Sequence, residues 1–298
     1  MHSEVVALKK QLDHAYSRNR LPVAFIDESY QSEREGRPFY LTSASIVNPE
    51  LIIECRASCF ELAEGSWWHT TVAFQDGKRK SIAGFLNHLK ITDIENFSCI
   101  QLDIKDNDLE HARRECLLQL SKKLEEFGCG LLVIERRQNQ SARRSDTAVF
   151  SAAASHGYIS KHLRLIQSTP SIEKLLWLPD VLSWSLRRHL AVNDSSWISM
   201  LDGDLTIIDA SRQNSAVSGI EFGADVRKMK RPQLAVAKSC GPEKPIDSEN
   251  EGVSRSSGLI MPQDFQSLQH FPQALGQVIW PPIDPATLSA WLKSRFPK

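Results

Sequence analysis

No stretch of this sequence stays apolar for the roughly 20 residues that a membrane-spanning helix needs, and a span is not expected. The opening residues Met1-His2-Ser3-Glu4 lack the basic-then-apolar layout of a secretory signal, so a cytoplasmic location is expected. An excess of either charge is missing too: 36 Lys and Arg balance 36 Asp and Glu. Global charge therefore argues neither for nor against a nucleic-acid partner, and any basic surface has to be local. The six cysteines, at 55, 59, 99, 116, 129 and 240, are not joined by a Cys/His pair at metal spacing, and Cys55 and Cys59 read as core thiols on one helix face. No internal repeat is visible. What remains is a chain of 298 residues, 41% hydrophobic, long enough for one large domain or two modest ones.

Its most informative segment is Pro22-Val23-Ala24-Phe25-Ile26-Asp27-Glu28-Ser29-Tyr30, where an apolar run of strand type ends in two carboxylates. A polar stretch at 31–37 leads into a second strand at 38–47. Apolar spacing places a packing helix at 2–18, with Val5, Val6, Leu8 and Leu12 on its inner stripe. Further helices are expected at 49–64, 78–89, 108–127, 146–161 and 172–190, the last interrupted by Pro179. Further strands are expected at 97–104, 129–135, 162–167 and 205–208. This order fits a mixed α/β sheet, an antiparallel meander extended by helical crossovers. From about 211 the composition turns rich in Ser, Gly, Pro and charge. A loop-rich tail is expected there, carrying the basic run Arg227-Lys228-Met229-Lys230-Arg231 and a short helix at 286–296.

If the first strand is central and the 129–135 strand lies parallel beside it, Asp27 and Glu135 emerge at the same sheet end, where open α/β sheets bind ligands. Asp180 stands alone in the apolar run Leu175 to Trp184, where burying a carboxylate calls for a partner or a metal, unless it caps a helix. Asp27, Glu28, Glu135 and Asp180 would suffice to hold Mg²⁺ or Mn²⁺ for phosphodiester cleavage, with Asp103 in reserve. Glu28 alternates to the opposite strand face and reaches the same metal only if the chain turns there. His69 is a candidate proton shuttle, or else a histidine packed beside Trp67 and Trp68. Arg136, Arg137, Arg143 and Arg144 either meet a polyanionic substrate or form an exposed basic loop.

Phe25-Ile26-Asp27-Glu28-Ser29 followed by Phe39-Tyr40-Leu41-Thr42-Ser43-Ala44-Ser45-Ile46-Val47 resembles the opening of an uncharacterised bacterial family, domain of unknown function 3800. Trp68-His69-Thr70-Thr71 with the helix after it, and Leu176-Trp177-Leu178-Pro179-Asp180-Val181-Leu182-Ser183-Trp184, are similar to the family's histidine segment and late aspartate helix. The resemblance covers about residues 22–210 and implies a ribonuclease H-like fold at 21–210, with Asp27, Glu135 and Asp180 as metal ligands. Three positions depart from the family pattern: Tyr30 stands for Gly, Trp67 for an acid and Pro179 for Ala. The expected function is a metal-dependent nuclease or related phosphodiester-processing enzyme, in a defence or mobile-element setting. The alternative is a catalytically impaired relative that binds nucleic acid or a protein partner, through the tail or as a homo-oligomer.

Overall fold

The computed structural model describes residues 2–105, 108–201 and 203–211. The expected tail beyond 211, with its basic run and terminal helix, lies outside the described residues. In chain order the first elements are α1 (His2–Arg18), β1 (Val23–Gln31), β2 (Phe39–Val47), α2 (Ile52–Leu62), α3 (Thr70–Gln75), α4 (Arg79–Ile91) and β3 (Ile94–Leu102). There follow α5 (Leu109–Phe127), β4 (Leu131–Glu135), α6 (Gln140–Ser155), β5 (Arg164–Ser168), α7 (Trp177–Val192) and β6 (Leu205–Asp209).

The strands form one mixed sheet in the order β5-β4-β1-β2-β3-β6. β1, β2 and β3 make an antiparallel meander, as the sequence suggested. β4 joins β1 in parallel, β5 joins β4 in parallel, and β6 extends the far side in parallel with β3. α6 makes the crossover between the parallel neighbours β4 and β5, which no tight turn could join, and α5 and α7 lie in the longer connections β3 to β4 and β5 to β6.

Strand alternation divides the core into two layers. Val23 and Phe25 point into a layer shared with α1, α2, α4 and α7, whereas Ala24 and Ile26 point into a layer shared with α5 and α6. Helices therefore cover both faces, and every residue of β2 is buried. α4 shows how a short helix is held: Ile82, Phe85, Leu86 and Leu89 recur at helical spacing and are fully buried. Each such side chain stabilises the fold by about 1.5–3 kcal/mol. α5 ends where Gly128 adopts φ 105°, a conformation costly for any residue with a Cβ.

Four departures from the sequence expectation bear on the site. β1 continues to Gln31, so Asp27 lies inside the strand rather than at its end. α6 begins at Gln140, six residues earlier than its apolar pattern, because Asn139 Oδ1 caps it by accepting from the Ser141 N–H at 2.9 Å. A short helix, α3, follows His69 where a loop was expected. α7 starts at Trp177 and takes Pro179 in its first turn, where a missing N–H costs no helical hydrogen bond. At the N-terminus α1 docks through Leu12 and Ala15, while Val5 and Val6 of the expected stripe are exposed.

Candidate functional site

Asp27 and Glu135 come together through strand register. β1 and β4 pair from Val23↔Leu131 to Ile26↔Ile134, which puts Asp27 and Glu135 on the next rung. Both share the parity of Phe25 and Val133, so both face the α7 side of the sheet. On the other side of β1, Asp27 pairs with Ser43, and Ser43 with Ser98. The two serine hydroxyls bond each other at 2.8 Å. α7 crosses β1 and β2 on this face and brings Asp180 in its first turn. The three carboxylates border one cleft of about 360 Å³, within the range of small-molecule sites.

Asp180 is held from a distance. Its Oδ2 accepts the backbone N–H of Thr70 at 2.8 Å and the Thr70 hydroxyl at 2.7 Å. Thr70 Oγ1 in turn accepts from Trp68 Nε1 at 3.0 Å. Asp180 thus caps the start of α3 rather than the helix it belongs to, because the α3 N-cap, His69, makes no side-chain cap bond. Capping and cleft lining, alternatives in the sequence, are met by one side chain. Ser183, one turn beyond Asp180, is buried and lines the same cleft with its hydroxyl unpartnered among the described residues.

Burial, and at Asp27 and Glu135 also neighbouring charge, raises the proton affinity of these acids. Burial pushes Asp27 well above the usual carboxylate range, and the charges of Asp180 and Glu135 push it further. Asp27 shares a hydrogen bond with Glu135 that favours the proton on Asp27. Glu135 and Asp180 are raised mainly by burial, Glu135 also by the charge of Asp180. The positive form of His69 opposes the shift at both, and the Thr70 bonds oppose it at Asp180. As a donor set, three hard carboxylate oxygens match what Mg²⁺ or Mn²⁺ takes. Among the described residues, however, no three His, Cys, Asp or Glu side chains are arranged to hold an ion. The carboxylates converge without forming a closed coordination shell.

The other sequence candidates separate. Glu28 borders the cleft, but its carboxylate turns to the α5 face, where it pairs with Arg113 and accepts from the Tyr40 hydroxyl. Strand alternation sends it there, because β1 does not turn after Asp27. His69 is exposed and lines the cleft. Trp67 is exposed beside it, whereas Trp68 is buried. Asp103 sits past the end of β3 with φ 57° and forms a two-bond pair with Arg37, both at 2.7 Å, away from the cleft-lining residues. The basic cluster is not a free loop. Arg136 bonds Glu4 at 2.6 Å, and Arg137 makes a two-bond pair with Glu110 at 3.0 and 3.1 Å. Arg143 bonds the carbonyls of Arg137 and Gln138 on the first turn of α6, and Arg144 alone of the four is exposed.

Sequence reasoning missed Thr70, Ser183, Arg113 and Arg187. Arg187 lines the cleft one turn beyond Ser183. Arg113, almost fully buried, makes a two-bond pair with Asp146 at 3.2 and 2.9 Å and donates to Tyr40 Oη at 2.8 Å. Its partners lie 33 and 73 residues away in the chain, so no local signal announced the cluster. Comparison with protein-family models, with curated proteins and with solved structures finds no match to this chain. The fold and the site therefore rest on their own geometry.

Proposed function

We propose that this chain is a divalent-metal-dependent enzyme that cleaves phosphodiester bonds in nucleic acid, on a ribonuclease H-like fold. The meander β1–β3, extended past β1 by parallel strands, supports the fold assignment. The convergence of Asp27, Glu135 and Asp180 from two strands and a helix carries the functional reading. Three mutually repelling acids at one wall, with Arg136, Arg137 and Arg187 lining the same cleft, form a site with both a cation-seeking and a phosphate-seeking part.

Mg²⁺ or Mn²⁺, when bound, supplies an activated water and stabilisation of the leaving oxygen. Asp27, Glu135 and Asp180 would hold it. Thr70 fixes Asp180 through Oδ2 and leaves Oδ1 without those bonds. Arg187 and Arg137 orient a phosphate by charge and directed N–H groups. His69, exposed at the cleft, would move a proton between bulk water and the leaving group.

The test is Asp27→Asn and Asp180→Asn in the full chain, assayed with Mg²⁺ or Mn²⁺ on DNA and RNA oligonucleotides. Cleavage is expected to fall about 10²-fold or more, the scale for losing one group that stabilises transition-state charge. Undiminished cleavage by both variants would put the site elsewhere. One observation favours a second reading, a protein of this fold that binds nucleic acid or a protein partner without cleaving it: no acid trio among the described residues is arranged to hold an ion. Absence of cleavage by the wild type under all conditions, with binding retained, selects that reading.

A further inference from the structure

Trp67 and Trp68 are adjacent in sequence and opposite in environment. Trp68 is 2% exposed, packs on Phe85 with ring centroids 4.5 Å apart and donates to Thr70. Trp67 is 59% exposed, and its ring stacks on that of His69 at 5.8 Å and 22°. His69 itself lines the cleft with Asp27, Glu135 and Asp180. The Trp67–His69 stack is therefore an aromatic ledge, exposed at Trp67 and adjoining the cleft at His69.

The ledge is fastened to the site. His69 is in extended backbone conformation, and the next residue, Thr70, gives its N–H and hydroxyl to Asp180. Trp68, on the other side of His69, is anchored in the core. Ledge and carboxylate are thus fixed by the same four residues, 67–70. The cleft is also lined by Arg136, Arg137, Arg187 and by Tyr30, which is 40% exposed and lies parallel to Tyr40 at 7°. A flat π-surface, cations and clustered acids, side by side, match in turn a base, a phosphate and the site of hydrolysis. A base within a duplex is already stacked on its neighbours and presents only its edges. A ledge of this kind takes a base that is unpaired.

We infer that the cleft takes single-stranded nucleic acid, with one unpaired base stacked on Trp67 and an adjacent phosphodiester at the three carboxylates. The second half of this inference rests on the phosphodiester-cleaving reading; the stacking contact does not.

The experiment is fluorescence anisotropy with the full chain in EDTA, using a labelled single-stranded oligonucleotide and the duplex of the same sequence. The single strand is expected to bind at least about tenfold more tightly than the duplex. Trp67→Ala should weaken single-strand binding roughly tenfold, as loss of one base stack does. It should leave duplex binding unchanged, and Trp67→Phe should retain most of the affinity. An oligonucleotide with an abasic position at the contact should lose affinity for the wild type and not for Trp67→Ala. Equal affinity of wild type and Trp67→Ala, or an equal loss for single strand and duplex, overturns the inference. Cleavage by Asp27→Asn separates the two claims: full activity there removes the catalytic reading and leaves the Trp67 result standing. An inactive Asp27→Asn with an unaffected Trp67→Ala removes the stacking inference alone.

Discussion

Asp27 and Glu28 are consecutive on β1 and live in opposite electrostatic worlds. Asp27 faces α7 among other acids, and the charge of Arg113 offsets their effect only in part. Glu28 faces α5 and meets Arg113, the hub of a network that also holds Tyr40 and Asp146, with Arg137 and Glu110 at its margin. One side of the strand crowds acids together and offsets them only in part; the other pairs its acid with the buried Arg113. Charge kept without compensation in a folded interior costs stability, and such sites are where a ligand of opposite charge is bound. The contrast between a paired and a crowded acid on adjacent residues is thus the feature on which the proposed site rests.

The comparison breaks most severely at Arg113. Arg113→Met strands the buried Asp146 carboxylate and should cost about 3–5 kcal/mol in urea unfolding. The double change Arg113→Met with Asp146→Leu should recover part of that loss, because the fully buried Asp146 charge is then gone and only the half-buried Glu28 stays unpaired. On the other face the sign reverses. Asp27→Asn removes an acid whose ionisation is opposed by burial and by its neighbours, and should stabilise the chain by about 1 kcal/mol at neutral pH, raising Tm by about 2–4 °C in a scan. The pH dependence follows the same logic. The Asp27 carboxyl is raised in the folded chain, so the folded state binds its proton more tightly than the unfolded state. Its contribution is fully present below the unfolded carboxylate value near 4 and is lost as pH rises through the raised folded value. Asp27→Asn should flatten that decline; an unchanged slope would mean that neither burial nor the neighbouring acids raise the Asp27 carboxyl. The smallest effect belongs to the surface. Arg37→Ala removes a pair with Asp103 in which both side chains are partly exposed, and should cost about 0–1 kcal/mol, less at high salt.

How much of this was legible depended on how far apart in the chain the interacting groups lie. The β1–β2 hairpin and the amphipathic α4 are local patterns, and the sequence displayed them. Asp27 and Glu135 were readable because both end apolar strand runs and alternation fixes their side. Asp180 stood out because an acid in an apolar run is costly without a partner. That partner, Thr70, lies 110 residues away and carries no sign of its role. Arg113 and Asp146 were hidden for the same reason, each looking like an ordinary polar residue of a helix. The ion pairs of Arg136 and Arg137 were not readable, because their partners Glu4 and Glu110 are remote in the chain. The early start of α6 was masked by the polar residues Gln140 to Arg144, with only the Asn139 cap to announce it.

The parallel attachment of β6 has a practical consequence. β6 runs alongside β3, and β3 runs in the same direction as β1, so β6 ends at the sheet edge where Asp27 and Glu135 emerge. β1 and β6 are three strand spacings apart in the sheet order, roughly 14 Å at the usual inter-strand distance. Ser211, just past β6, is exposed at that edge and holds its turn by bonding Asp209 at 3.1 Å through its N–H. A spectroscopic probe attached there would view the cleft at short range, and a labelled oligonucleotide entering the cleft would transfer energy to it without a single side chain of the site having been altered.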